Sequence, residues 1–375
     1  MTALIKHYDI HGLVSITVQR SAAFDLIPDL SRPFRYFQVA NLDRDPDIIL
    51  EVGDFEPDNQ GCYLVDHQLH VRENYLYCED AYRTARWRVE INGFERGQTR
   101  IRFTGTCKSL KKLLAPGMLP ESLLLKQVLA FHLSRKGYFL IHGAAASKNG
   151  QTVILFGRGG AYKTTILMNL LRQNDGWLMM GDDLAIVGKG QVLSFPAWAG
   201  FFAFRYKRLP TEALSLLNRI HLLFFLANYR SIDLPVIDKG QLSGLVHCTV
   251  GASDQVHIEE LRVEKTLSQL VTVSATEDHI SNNIGPTSAY PRYVEAYTYV
   301  FPDNLAAKRW RDATIELQAQ TQNVPSLALS LPRSPKPHHI SEAVRALEGI
   351  DFSPDSSARR EEGDLPLDQT GEASS

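Results

Sequence analysis

The sequence predicts an α/β protein in two parts, a β-rich N-terminal domain over residues 1–115 and an α/β domain over 120–348. Three observations lead there. Two runs on either side of Asn92-Gly93 alternate apolar and charged residues, as half-buried paired strands do. An apolar run at 152–156 ends in a glycine-rich loop that opens into a helix with one apolar face. The next apolar run, 177–180, ends in two aspartates, giving the order strand, loop, helix, strand, acids.

In the first part, Trp87, Val89 and Ile91 share one strand face while Arg86, Arg88 and Glu90 share the other. After the turn, Ile101 and Phe103 alternate with Arg100 and Arg102. The charged side is expected to be a solvated sheet face. The earlier runs 48–52 and 62–65, bounded by Pro46, Pro57 and Gly61, read as short strands.

Pro116-Gly117 and Pro120 mark the junction. Beyond it Leu124, Leu125, Val128, Leu129 and His132 recur at helical spacing until Gly137. Runs at 138–141 and 152–156 follow, and Lys148-Asn149-Gly150 between them reads as the turn of a hairpin joining the two. Ile166, Leu167, Leu170 and Leu171 line the helix after the glycine-rich loop. Residues 256–263 read as a strand leading into a helix with Leu267, Leu270 and Val271 inward. Segments 304–318, 327–331 and 341–347 read as helix, strand and short helix, and 351–375 as a disordered polar tail.

Composition narrows the function classes. At 375 residues, 44% hydrophobic and 22% charged, the chain is expected to bury a sizeable core. A net charge of -2 gives no overall positive field, so nucleic acid is not expected as a partner. The start lacks a secretory apolar stretch, and the longest apolar run, 222–227, is too short to span a bilayer. Four scattered cysteines, Cys62, Cys78, Cys107 and Cys248, point to a reducing cytoplasm. His247, Cys248 and His257 match no zinc spacing, nor does anything suggest metal at His338-His339.

The decisive segment is Gly157-Arg158-Gly159-Gly160-Ala161-Tyr162-Lys163-Thr164. It fits Gly-x-x-x-x-Gly-Lys-Ser/Thr except that Tyr162 stands where the second glycine belongs. In such a loop backbone N–H groups curl around phosphate oxygens and the next helix presents its positive end. Lys163 is expected to reach the β and γ phosphates of ATP and Thr164 to ligate Mg²⁺, with Thr165 a spare hydroxyl in the first turn. The ring of Tyr162 either strains a position that needs positive φ or points outward over the phosphates. Asp182 and Asp183, expected at the C-terminal end of a parallel strand, can divide the remaining work, one on the metal and the other as base. Asp182 joins Thr164 as a candidate metal ligand, and either aspartate is a candidate base. Arg205, Lys207 and Arg208 read first as solvated surface, and of them Arg205 is kept as a weak candidate for stabilising a transferred phosphoryl group.

Leu140-Ile141-His142-Gly143-Ala144, then residues 157–165, then Gly181-Asp182-Asp183-Leu184 resemble the catalytic domain of HPr kinase/phosphorylase and its relatives in peptide and natural-product maturation. The resemblance implies a phosphate-loop kinase domain, similar in fold to phosphoenolpyruvate carboxykinase. It adds His142 to the catalytic candidates Lys163, Asp182 and Asp183, and implies a homo-oligomer. True HPr kinases carry a second signature that this chain lacks, and their regulatory domain does not match the N-terminal sheet. The expectation is an ATP- and Mg²⁺-dependent kinase acting on a hydroxyl of a protein, peptide or small molecule. The alternative is a non-catalytic nucleotide-binding scaffold in which Tyr162 disables turnover.

Overall fold

The computed structural model describes residues 4–21, 32–82, 85–93, 95–107, 124–173, 175–196, 235–280, 289–350 and 352. These form a mixed α/β structure of two large mixed sheets and six helices. The first sheet holds β1 (Leu4–Ile10), β2 (Val14–Arg20), β3 (Gln38–Val39), β4 (Ile48–Val52), β5 (Tyr63–Val65), β6 (Leu69–Arg72), β7 (Tyr75–Tyr82), β8 (Ala85–Asn92) and β9 (Thr99–Cys107). Their spatial order is β3-β1-β2-β4-β9-β8-β7-β6-β5. A 3-10 turn, Arg32–Phe37, precedes β3.

The alternating runs form the β8–β9 hairpin, with Val89 opposite Phe103 and Ile91 opposite Ile101. Trp87, Val89, Ile91, Ile101 and Phe103 are all buried, as their spacing requires. The charged face departs from the solvated surface expected of it. Glu90 is only 2% exposed, accepts a hydrogen bond from the Tyr75 hydroxyl at 3.0 Å, and is paired with Arg102. The Arg102 guanidinium in turn lies 5.2 Å from the centre of the Phe55 ring. A carboxylate so deeply covered needs these partners, because an uncompensated buried charge is strongly destabilising.

The second sheet holds β10 (Tyr138–His142), β11 (Ala144–Lys148), β12 (Gln151–Phe156), β13 (Leu178–Gly181), β14 (Leu184–Gly188), β15 (Gln191–Leu193), β16 (Lys239–Gly251), β17 (His257–Glu260) and β18 (Ser326–Pro332). The order is β10-β14-β15-β16-β12-β11-β13, with β18 beside β16 and β17 beside β18. Here the expected hairpin is corrected. Asn149-Gly150 does make a tight turn, both residues having positive φ, but it joins β12 to β11; β10 pairs with β14 instead. The setting of β13 is also corrected. Among the described residues its neighbour β11 is antiparallel to it, and its parallel contact is an isolated bridge between Met179 and Val236.

The helices are α1 (Lys126–Ser134), α2 (Lys163–Arg172), α3 (Val263–Ile280), α4 (Ala289–Val300), α5 (Leu305–Thr321) and α6 (Pro337–Glu348). One apolar cluster unites α2 and α6 with one sheet face through Ile166, Leu167, Leu170, Ile340, Val344 and Leu347. A second unites α3 with the other face through Leu267, Leu270, Ile154, Phe156 and Leu245. In the expected tail, Phe352 is buried, and a Cβ on Gly244 would come within 2.4 Å of its ring. The other tail residues, like Arg205, Lys207, Arg208 and the run 222–227, lie outside the described residues. No helix among the described residues is long and apolar enough to cross a membrane.

The largest apolar cluster is shared by both sheets: Tyr8, Phe34 and Phe103 belong to it, and so do Leu184, Phe195 and Tyr297. Polar contacts run through the same boundary. Glu95 accepts a 2.7 Å hydrogen bond from the Ala306 N–H, so a carboxylate from the first sheet caps α5. His132 of α1 is buried against β9, with its Nε2 2.7 Å from the Thr99 hydroxyl.

Burial, seconded by Arg135, pushes the His132 pKa down from 6.5 to about 4, against the opposing pull of Asp47. A histidine depressed in the folded state is protonated first in the unfolded chain, so its contribution to stability is complete above pH 6.5 and is lost toward pH 4. We expect wild type minus His132→Gln to lose stability at up to about 1.4 kcal/mol per pH unit across that window. Urea denaturation midpoints between pH 7 and 4 measure it, and parallel curves for the two proteins would contradict it.

Candidate functional site

The candidate site lies where β12 ends. β12 is flanked by β16, which runs parallel to it, and by β11, so its C-terminal end is held from both sides. Gly157, the next residue, has φ 147°, and a Cβ there would stand 2.2 Å from the carbonyl oxygen of Cys248. Only glycine fits so near a neighbouring backbone. The Ala161 N–H then donates to the Arg158 carbonyl at 3.1 Å, closing a turn over residues 158–161. Arg158, Gly159 and Gly160 are exposed along it, whereas Ala161 is buried.

Tyr162 takes the left-handed conformation, φ 62° and ψ 16°, immediately before α2. This is the positive φ that the motif's glycine would supply, at a cost of about 1–2 kcal/mol for a side chain with a Cβ. The ring is not fully exposed. It is half-buried against the apolar cluster containing Ala161, Ile166 and Ile340, which offsets the strained backbone. The Ile166 N–H donates to the Tyr162 carbonyl at 2.9 Å and begins the helix.

Lys163, the first residue of α2, is 7% exposed and turns back into its own loop, donating from Nζ to the carbonyls of Gly157 and Arg158. Its ammonium also lies near the Cys248 thiol. Burial pushes that thiol up to about 12 while Lys163 pulls the other way, so Cys248 stays protonated and inert. The Thr164 hydroxyl reaches the carbonyl of Asp182 at 3.5 Å, which ties the first turn of α2 to the end of β13. Thr165 is half-buried, and its carbonyl accepts from the Asn169 amide at 2.8 Å within the helix.

The acids occupy the turn between β13 and β14. Asp182 is 1% exposed, whereas the Asp183 side chain is 46% exposed. Pairing of β10 with β14 sets His142 opposite Leu184 and so beside this turn. The Gly143 N–H donates to the Asp183 carbonyl at 2.9 Å, and His142 Nδ1 lies 3.5 Å from Asp183 Oδ1. The two carboxylates thus have different settings, one buried and one open to solvent beside a histidine.

These contacts link the sequence-derived candidates in two groups, Gly157 through Thr164 with Asp182, and His142 with Asp183. The sequence reading missed the β16 wall. His247 stacks on Phe156 with ring centroids 5.1 Å apart, and burial lowers its pKa, with Lys265 acting in the same direction. Cys248 closes the loop from the other face. Their adjacency to the loop comes from a parallel pairing between distant segments, which no local motif announces. Thr164 and Asp182, whose contact runs from the hydroxyl to the backbone carbonyl, are the oxygen-bearing residues that could hold a cation. Among the described residues, no group of three or more His, Cys, Asp or Glu side chains is gathered as a metal cage. Magnesium is ordinarily held by one or two carboxylates together with phosphates and water, and this donor set fits that habit.

In comparisons with known proteins, no family model matches the chain and no curated protein matches it.

The backbone at Tyr162 sets a test. Both Tyr162→Ala and Tyr162→Gly lose the packed ring, but only glycine relieves the left-handed strain. We expect Tyr162→Gly to be more stable than Tyr162→Ala by about 1 kcal/mol in denaturant titrations. An alanine variant as stable as the glycine one would contradict the conformation.

Proposed function

We propose that the protein is an ATP-dependent kinase that transfers the γ-phosphoryl group to a hydroxyl, on a phosphate-loop domain over residues 120–348. In this reading that domain is similar in fold to HPr kinase and phosphoenolpyruvate carboxykinase. The observation that carries the proposal is the contact between the Thr164 hydroxyl and the Asp182 backbone. It sets a lysine-bearing helix N-terminus against the acidic turn that follows β13.

Magnesium-bound ATP supplies the transferable phosphoryl group and a cation that neutralises its charge. Within the chain, Gly159 and Gly160 leave the loop backbone bare so that its amides can meet phosphate oxygens, and the N-terminus of α2 adds a favourable dipole. Arg158, Ala161 and Tyr162 belong to the same cradle through their backbone. Lys163 holds the phosphates once it exchanges its present partners, the Gly157 and Arg158 carbonyls, for phosphate oxygens. Thr164 and Asp182 hold the cation. Asp183 takes the proton from the acceptor hydroxyl, a role that suits the more exposed carboxylate, and His142 steadies its orientation. Positioning and charge account for most of the acceleration in chemistry of this kind. The free thiols of Cys62, Cys78 and Cys248 support placing the enzyme in a reducing cytoplasm.

Incubation with labelled ATP, Mg²⁺ and a panel of serine-containing proteins, peptides and small alcohols tests this. Transfer is expected from the wild type and is expected to fall by about 10²–10⁴-fold in Asp183→Asn. In Lys163→Ala, loss of ATP binding is expected as well. ATP binding without transfer to any acceptor would favour a non-catalytic scaffold, and equal transfer by all three proteins would refute the assignment.

A further inference from the structure

The acidic turn is supported from the first sheet. The Phe195 N–H donates to the Met180 carbonyl at 2.8 Å, so the backbone beyond β15 lies along the end of β13. The fit is close. A Cβ on Gly181 would meet the Phe195 carbonyl at 3.1 Å and the Leu184 carbonyl at 1.9 Å, and Asp182 follows directly. The Phe195 side chain is fully buried, and two rings of the 3-10 turn pack on it. Phe34 meets it edge-on with centroids 5.9 Å apart, and Phe37 meets it tilted at 5.3 Å.

Polar contacts reinforce the same junction. The Tyr36 hydroxyl donates to the Asp238 carboxylate, and burial together with Asp238 pushes its pKa up to about 12. The Asp238 carbonyl accepts from the Ser194 N–H at 2.8 Å, one residue before Phe195. From β1's turn, His11 Nε2 donates to the Ser194 carbonyl at 2.7 Å. Next to Asp238, the Ile237 N–H donates to the Met179 carbonyl at 3.0 Å, so the segment leading into β16 also lies along β13.

We infer that the turn Arg32–Phe37 is a positioning element for the acidic pair: Phe34 and Phe37 hold Phe195, and Phe195 holds the end of β13 from which Asp182 and Asp183 follow. The first sheet thereby belongs to the metal side of the site. None of these aromatic residues touches a reacting atom; they act through the backbone. The inference rests on the proposed nucleotide site for its functional readout, but its structural core does not.

Two measurements on the full chain keep these apart. Hydrogen–deuterium exchange without nucleotide should show faster exchange over residues 178–186 in Phe37→Ala, with Phe37→Leu closer to wild type. Tyr36→Phe, which keeps the ring and loses only the hydroxyl, should loosen residues 194–195 and the same strand end. A fluorescent ATP analogue titrated with and without Mg²⁺ should show the Mg²⁺-dependent part of affinity falling about 10- to 100-fold in Phe37→Ala, while metal-free affinity is retained. Unchanged exchange over 178–186 in folded Phe37→Ala and Tyr36→Phe would overturn the inference, as would an equal loss with and without Mg²⁺. If Phe37→Ala does not fold, Tyr36→Phe decides by the same criteria. If the wild type binds no ATP, the nucleotide reading fails and exchange alone decides this one.

Discussion

β12 and β16 run side by side until, at Gly157, the chain leaves the sheet so near Cys248 that a Cβ would stand 2.2 Å from its carbonyl oxygen, and the candidate site depends on that departure. Because the loop begins there, it turns toward the face that carries α2. The helix then starts close enough to β13 for Thr164 to touch Asp182. Lys163 completes the arrangement by reaching back to the two carbonyls at the loop's beginning. A backbone near-contact that excludes every side chain thus precedes the approach of the lysine-bearing helix terminus to the backbone of the acidic turn.

The substitution at Tyr162 shows how a departure from a motif can be absorbed. A left-handed residue with a side chain is strained, yet its ring is half-buried in the cluster beneath α2 and α6. Strain and packing oppose each other at one residue, and the loop keeps its course. The tyrosine ring is thereby partly withdrawn from solvent by the cluster it packs on.

Much of this was legible in the sequence where the signal is local. The β8–β9 hairpin follows from strict alternation, and the strand, loop and helix around Gly157 follow from an apolar run, glycines and helical spacing. Strand β11 was missed because Ala144 to Ser147 are small residues with no alternation. The correctly read Asn149-Gly150 turn was consequently assigned to the wrong partner strand. Glu90 was read as solvated because period-2 alternation reports which face a residue is on, not what covers that face. Long-range contacts left no local trace: the pairing of β12 with β16, the fit of Phe37 on Phe195, and the 3.5 Å approach of His142 to Asp183 all join segments far apart in the chain.

The most direct test is a structure determined with Mg²⁺ and a non-hydrolysable ATP analogue. The account predicts the triphosphate lying along the backbone of residues 158–164, with the Lys163 ammonium moved from the Gly157 and Arg158 carbonyls to phosphate oxygens and the cation bound by Thr164 and Asp182. A nucleotide bound elsewhere, or a loop in which Lys163 keeps its own carbonyls at saturating nucleotide, would contradict it.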